Sequence, residues 1–253
     1  MKKLIRISVA VLLFTGYIAS AQKLPRVQQQ AFKAPANVKI DGKLNEWGGK
    51  LQAYNTATEI FYTVANDDQN IYLVIQARYH DVVDKILRGG LTFTINHTVK
   101  KNDASQVTVT YPVLREGVMA EVSNAFARKA NEKREANNAS IPVDDMNTLL
   151  DARSKLISVT GIKGIANDLS VYNEEGINAV SRFDTDVNYT YELAIPLKYL
   201  DLPDGGKSAF AYHISVNVAP EGHVSSGGPP PPPVMMTQLS ITDFWGEYTL
   251  IKK

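Results

Sequence analysis

The run Asn66-Asp67-Asp68-Gln69-Asn70-Ile71-Tyr72-Leu73-Val74-Ile75-Gln76-Ala77 decides how this chain is to be read. Five polar turn-forming residues give way to a two-residue alternation. Ile71, Leu73, Ile75 and Ala77 fall on one side, and Tyr72, Val74, Gln76 and Arg78 on the other. Residues 58–65, just upstream, also read as a strand. Strand, polar turn, strand predicts an antiparallel hairpin.

The same period continues outward. Residues 91–95, 107–113, 156–162, 187–195 and 210–218 read as strands, and a last one is expected over about 238–251. Residues 81–88 predict one or two helical turns, started by Asp81 as N-cap and stopped by Gly89-Gly90. Residues 121–156 differ: Ala, Asn, Lys, Arg and Glu dominate, and Pro142 interrupts them. They predict a helical insertion whose charge run is a solvated face. Many alternating strands and few helices place the chain in the all-β class, as an antiparallel, jelly-roll-like β-sandwich with a helical insertion around residues 121–156.

Composition narrows the function. The 253 residues are 44% hydrophobic and 21% charged, which is globular rather than disordered composition. Lys plus Arg is 27 against 26 for Asp plus Glu, so the basic excess of a nucleic-acid binder is missing. There is no cysteine, which removes disulfides, thiol catalysis and thiolate metal sites. At the start, Lys2, Lys3 and Arg6 precede an apolar run to Ala19, and Ala19-Ser20-Ala21 is a small-x-small triplet. This is the layout of a secretory signal peptide, with the apolar run too short to span a membrane. The expected division is a signal peptide over 1–21, a Gln-rich leader over 22–36 and the sandwich over 37–253. The expected destination is the periplasm or cell surface of a bacterium, with no membrane span left after cleavage.

Three segments, in order, carry a resemblance: Val38 to Trp47 (Val-Lys-Ile-Asp-Gly-Lys-Leu-Asn-Glu-Trp), the hairpin, and the pair Tyr191 to Leu197 and Phe244 to Leu250. Together they resemble the family nine carbohydrate-binding modules and the wider DOMON-like sandwich group. The resemblance covers roughly Val38 to Leu250, interrupted by the insertion. It implies an exported, non-catalytic protein that recognises a polysaccharide or oligosaccharide by aromatic stacking and polar edge contacts. One departure stands out. The loop from Pro220 to Thr237, where such a protein would carry a second aromatic clamp, has no aromatic residue; Gly227-Gly228 and Pro229 to Pro233 make it a stiff spacer.

The candidate ligand-binding residues are Trp245, on the polar face of the last strand, and Tyr79, His80, Asp81 and Arg88, at the end of the hairpin. Trp47 is expected to anchor its motif in the core rather than stack on a sugar. Asn66, Asp67, Asp68 and Asn70 have the oxygen donors for structural calcium, with Asp67 and Asp68 as the carboxylates, although a plain hairpin turn accounts for them without a metal. No other cofactor is expected. Two alternatives stand beside glycan binding. One is an interaction or assembly module contacting another envelope protein. The other, weakest, is a glycan hydrolase, which needs two carboxylates facing across one cleft. Asp144-Asp145 are adjacent and read better as a helix start. His80, His97, His213 and His223 have no metal-ligand spacing, and no serine lies in a nucleophile elbow.

Overall fold

The hairpin forms as read. In the computed structural model, which describes residues 23–101, 105–202, 208–219 and 240–251, β2 (Ile60–Asn66) pairs with β3 (Asn70–Ala77), Thr63 opposite Val74. Asp67 closes the turn. Its Oδ1 accepts the backbone N–H groups of Gln69 and Asn70 at 2.8 and 2.7 Å, and its Oδ2 accepts the Tyr72 hydroxyl at 2.7 Å. Asp67 thus uses both oxygens inside the turn, as Asx turns do.

β1 (Ala53–Asn55), β2, β3, β9 (Tyr189–Pro196) and β8 (Asn178–Phe183) make a five-stranded antiparallel sheet in that order. The second sheet has six strands, ordered β11 (Thr242–Thr249), β10 (Ala209–Val216), β4 (Leu91–Ile95), β5 (Val107–Tyr111), β6 (Leu156–Thr160) and β7 (Asp168–Ser170). Every strand pairing is antiparallel. The inward rows Ile71, Leu73, Ile75 and Phe93, Ile95, Tyr212, Ile214 meet in one core, so the chain is an all-β sandwich. Tyr62 and Tyr212 join the sheets through their hydroxyls at 3.0 Å. Gly246 allows Tyr212 in: a Cβ there would sit 2.2 Å from the ring.

Among the described residues, three α-helices interrupt the strands. α1 (His80–Gly89) starts one residue before the expected cap. Tyr79 is the N-cap, with no side-chain bond, and Asp81 lies inside the first turn, where a carboxylate favours the helix dipole. The insertion is α2 (Glu116–Glu135) and α3 (Asp144–Arg153), beginning five residues earlier than expected. α3 does start at Asp144-Asp145. Met146, Leu150, Val122 and Phe126 join the main core, so the insertion is part of the sandwich. Its charges lie mostly on the surface, as expected, and some of them pair there. Lys129 pairs with Asp145 at 3.0 Å and Arg153 with Glu121 at 2.9 Å, tying α2 to α3.

The short β1, β7 and β8 lack a long alternation and are not legible in the sequence. The leader does not hang free. Gln28 bonds Val64 through both its amide atoms, and Lys33 bridges Asn66 beside β2. No helix among the described residues is long and apolar enough to cross a membrane. The signal-like start and the Gly-Pro loop, Pro229 to Pro233 included, lie outside the described residues.

Candidate functional site

Two of the resembling segments meet on the outer face of the five-stranded sheet, at Glu192. Its Oε2 accepts the backbone N–H groups of Asp41 and Gly42 at 2.9 and 2.7 Å. Its Oε1 accepts the Trp47 indole N–H at 2.7 Å. Glu192 is fully buried on β9. Burial raises its carboxyl above the usual range, and the indole and the two amides oppose that shift. Trp47 packs edge-on to Tyr72 at 6.1 Å and, with Leu51, Ala65, Val74 and Ala194, makes a second small core. Trp47 is therefore an anchor. Gly42, at φ +77°, passes so close to β8 that a Cβ would meet Arg182 Cγ at 2.8 Å.

The opening segment covers only part of this face. Beside it lies a cleft with a volume of about 740 Å³, within the range of small-molecule sites. Its floor is the cross-strand row Gln76, Thr190 and Arg182 on β3, β9 and β8. One wall is the Asp41 to Asn45 turn. The other is Val143, Asp144 and Asn147 at the start of α3, with Phe183 to Thr185.

The polar atoms of this cleft fall into two sets. Some are committed. Arg182 donates to the Asp41 carbonyl at 3.1 Å and to Asp151 at 2.8 Å. The Asn147 amide bonds the Phe183 backbone in both directions at 3.0 and 2.8 Å. Asp184 accepts the N–H groups of Asp186 and Asn188 and the Asn188 amide. Others are unspent. Gln76 is 5% exposed; its Oε1 accepts Arg78 at 2.7 Å, and its Nε2 has no partner. Thr190 is 3% exposed, and its hydroxyl is unbonded. The Lys43 ammonium on one wall and the Asp144 carboxylate on the other likewise have no ion-pair partner among the described residues. Donors and acceptors of both kinds thus converge on one concavity, a pattern suited to a ligand rich in hydroxyls.

The predicted site residues do not form one cluster. Tyr79 is half-exposed and lies beside Tyr54 of β1. Burial first, and then the Tyr79 hydroxyl, push the Tyr54 phenol up to about 12. His80 stacks on Phe126 of α2 at 4.8 Å, with Asp81 3.4 Å from its Nδ1. Arg88, at the far end of α1, pairs with Asp84 at 2.7 Å. Trp245 stands on the other sheet, where its indole stacks on His213 at 4.5 Å and 18°. For calcium, Asp67 spends both oxygens in the turn, and no group of three His, Asp or Glu residues suited to a metal occurs among the described residues.

The outer face of the six-stranded sheet is a regular polar surface. Trp245, His213, Thr94, Thr108 and Thr160 align across five strands. So do Asp243, Ser215, Thr92, Thr110, Ser158 and Asp168 across six. Ser215 Oγ lies 3.4 Å from His213 Nδ1, and Asp243 lies 3.3 Å from His213 Nε2. This trio has the residue types of a nucleophile triad but not its surroundings. β10 is paired on both sides, so its backbone N–H groups are spent in the ladders and form no oxyanion hole.

Gln76, Thr190, Arg182, Lys43 and Asp144 were not among the sequence candidates. Gln76 was legible as an outward residue of the hairpin, but the row needs β8, and β8 carries no clear alternation. No model of a known protein family matches this chain, and no curated protein matches it.

Proposed function

We propose that this protein is an exported, non-catalytic carbohydrate-binding protein, a sandwich of the family nine binding-module type, and that it holds a glycan in the cleft over Gln76, Thr190 and Arg182. The observation that carries this reading is the unspent hydrogen-bonding capacity of the cleft floor. The Gln76 Nε2 and the Thr190 hydroxyl bond nothing among the described residues, and a ligand that both donates and accepts can take up that capacity. Sugar hydroxyls do both. Lys43 and Asp144 add a donor and an acceptor at the rims. The motifs that resemble the binding modules build this cleft: the opening segment is a wall, and the hairpin and the Glu192 strand supply the floor. The secretory layout of residues 1–21 supports export.

A second reading has one observation in its favour. Asp41 and Asp144 line opposite walls of the cleft, as a glycan hydrolase would need. Against it, Glu192, whose carboxyl burial raises as a general acid would need, has both oxygens committed to Trp47 and the Asp41-Gly42 backbone.

The test is a glycan array probed with the full chain, with and without calcium, and repeated with Thr190→Val and Trp245→Ala. Binding lost in Thr190→Val and kept in Trp245→Ala supports the cleft. The reverse pattern keeps the glycan and moves it to the Trp245 plate. No binding by folded protein rejects the reading. Release of reducing ends, abolished in Asp144→Asn, would replace it with the hydrolase.

A further inference from the structure

The cleft floor is part of a longer line. Tyr54, Phe61, Gln76, Thr190 and Arg182 are consecutive cross-strand partners over all five strands of the sheet. At the ordinary strand spacing the line runs about 19 Å, of which the cleft occupies about half. Its two halves differ in chemistry. The β8 half is polar, with the unspent Gln76 and Thr190 groups. The β1 half is aromatic: the Tyr54 and Phe61 rings lie 4.6 Å apart, and the half-exposed Tyr79 adjoins Tyr54. Arg78 joins the halves. Its guanidinium lies 4.1 Å over the Phe61 ring and donates to Gln76 Oε1 at 2.7 Å.

We propose that this line is a single binding track, and that its ligand is a linear glycan chain lying across the strands, not one terminal sugar. The proposal rests on the glycan reading above and deepens it. The polar half takes one sugar unit by hydrogen bonds in the cleft. The next units pass over Arg78 to the aromatic half, where the exposed Tyr79 ring and the guanidinium plane offer flat surfaces for the apolar faces of sugar rings. The length of the track and its two chemistries make the same demand: a ligand longer than one ring, with hydroxyl edges at one end of the contact and a stacked ring at the other. Arg78 is exposed and can settle onto either Phe61 or a bound sugar without unfolding anything.

The experiment is calorimetric titration of the full chain with linear gluco-, xylo- and manno-oligosaccharides, monomer to hexamer. The glycan array is run in parallel. For the series that binds, affinity should rise about tenfold or more from monomer to tetramer and then level off. Tyr79→Ala, at a half-exposed position, should remove most of that gain and leave the monomer affinity unchanged, with an unchanged melting temperature. Arg78→Ala should also remove part of that gain, and because its guanidinium bonds Gln76 Oε1 the monomer affinity changes with it. Affinity independent of chain length, still lost in Thr190→Val, overturns the track and leaves the cleft as a single-sugar site. A length gain that survives both Tyr79→Ala and Arg78→Ala also overturns it. Binding to no glycan on the array or in any series rejects the glycan reading itself, and the track with it.

Discussion

The outer faces of the two sheets carry similar residue types and do different things with them. On the six-stranded sheet the hydroxyls satisfy one another: Thr92 pairs with Thr110 at 2.7 Å and Thr94 with Thr108 at 3.1 Å, and Asn217 donates to Thr92 at 2.8 Å. On the five-stranded sheet the opening segment adds a further layer, pinned by Glu192. Where that layer stops, a concavity remains whose floor has unspent polar atoms. The contrast teaches that polarity alone does not mark a site. The threonine hydroxyls of one face pair with each other, whereas the Gln76 amide and the Thr190 hydroxyl at the bottom of the cleft bond nothing among the described residues and stay available to a ligand.

The largest expected effect tests the extra layer. Glu192→Ala leaves three donors, the Trp47 indole among them, without their buried acceptor. It should cost about 3 kcal/mol or more in denaturant unfolding and abolish binding with it. A loss below about 1 kcal/mol would mean that the opening segment does not depend on this clamp. Next comes Thr190→Val, which removes a hydroxyl that bonds nothing among the described residues. Stability should hold while glycan affinity falls about tenfold.

The two structural carboxyls should give opposite pH slopes. Burial would raise Asp67, but the Tyr72 hydroxyl and the turn amides outweigh it and hold the carboxyl below its usual range. Its contribution is therefore present above the ordinary aspartate value and lost as pH falls through the folded one. Glu192 is raised, so its contribution is complete below the ordinary glutamate value and lost as pH rises through the folded one. Melting curves across the acid range should lose their low-pH fall in Asp67→Asn. An unchanged acid limb in that variant would contradict the assignment.

The smallest effects belong to the outer face of the six-stranded sheet. Trp245→Ala should cost about 1 kcal/mol through the lost His213 stack. The Thr94→Val, Thr108→Val pair should be close to neutral, because both partners of one hydrogen bond leave together. A marked loss of glycan binding in either variant would erase the difference between the faces.

Much of the fold was legible in the sequence. The hairpin, the strands over residues 91–95 and 210–218, and the inward row of Phe244, Gly246 and Tyr248 follow from alternation with Gly and Asn-Asp punctuation. The anchoring of Trp47 was legible too, but its partner was not. Glu192 lies 145 residues away, and nothing local distinguishes it from a solvent-facing residue of β9. The cap of α1 fell on Tyr79 rather than Asp81 because the chain enters the helix in extended geometry with no side-chain bond to mark it. The site was the least legible part. Gln76, Thr190 and Arg182 lie on three strands, and only the pairing of β8 with β9 brings them into one row. Among the sequence candidates, Tyr79 lies at an end of that row by way of its neighbour Tyr54.

If ligand capacity resides in the cleft of the five-stranded sheet, the two outer faces must respond differently to one titration. The full chain, Thr190→Val and Trp245→Ala are titrated by calorimetry with a glycan selected on the array, each first shown to melt cooperatively. Thr190→Val should lose about tenfold or more in affinity, and Trp245→Ala should bind as the wild type does. Wild-type affinity in Thr190→Val with binding lost in Trp245→Ala would contradict the placement in the cleft.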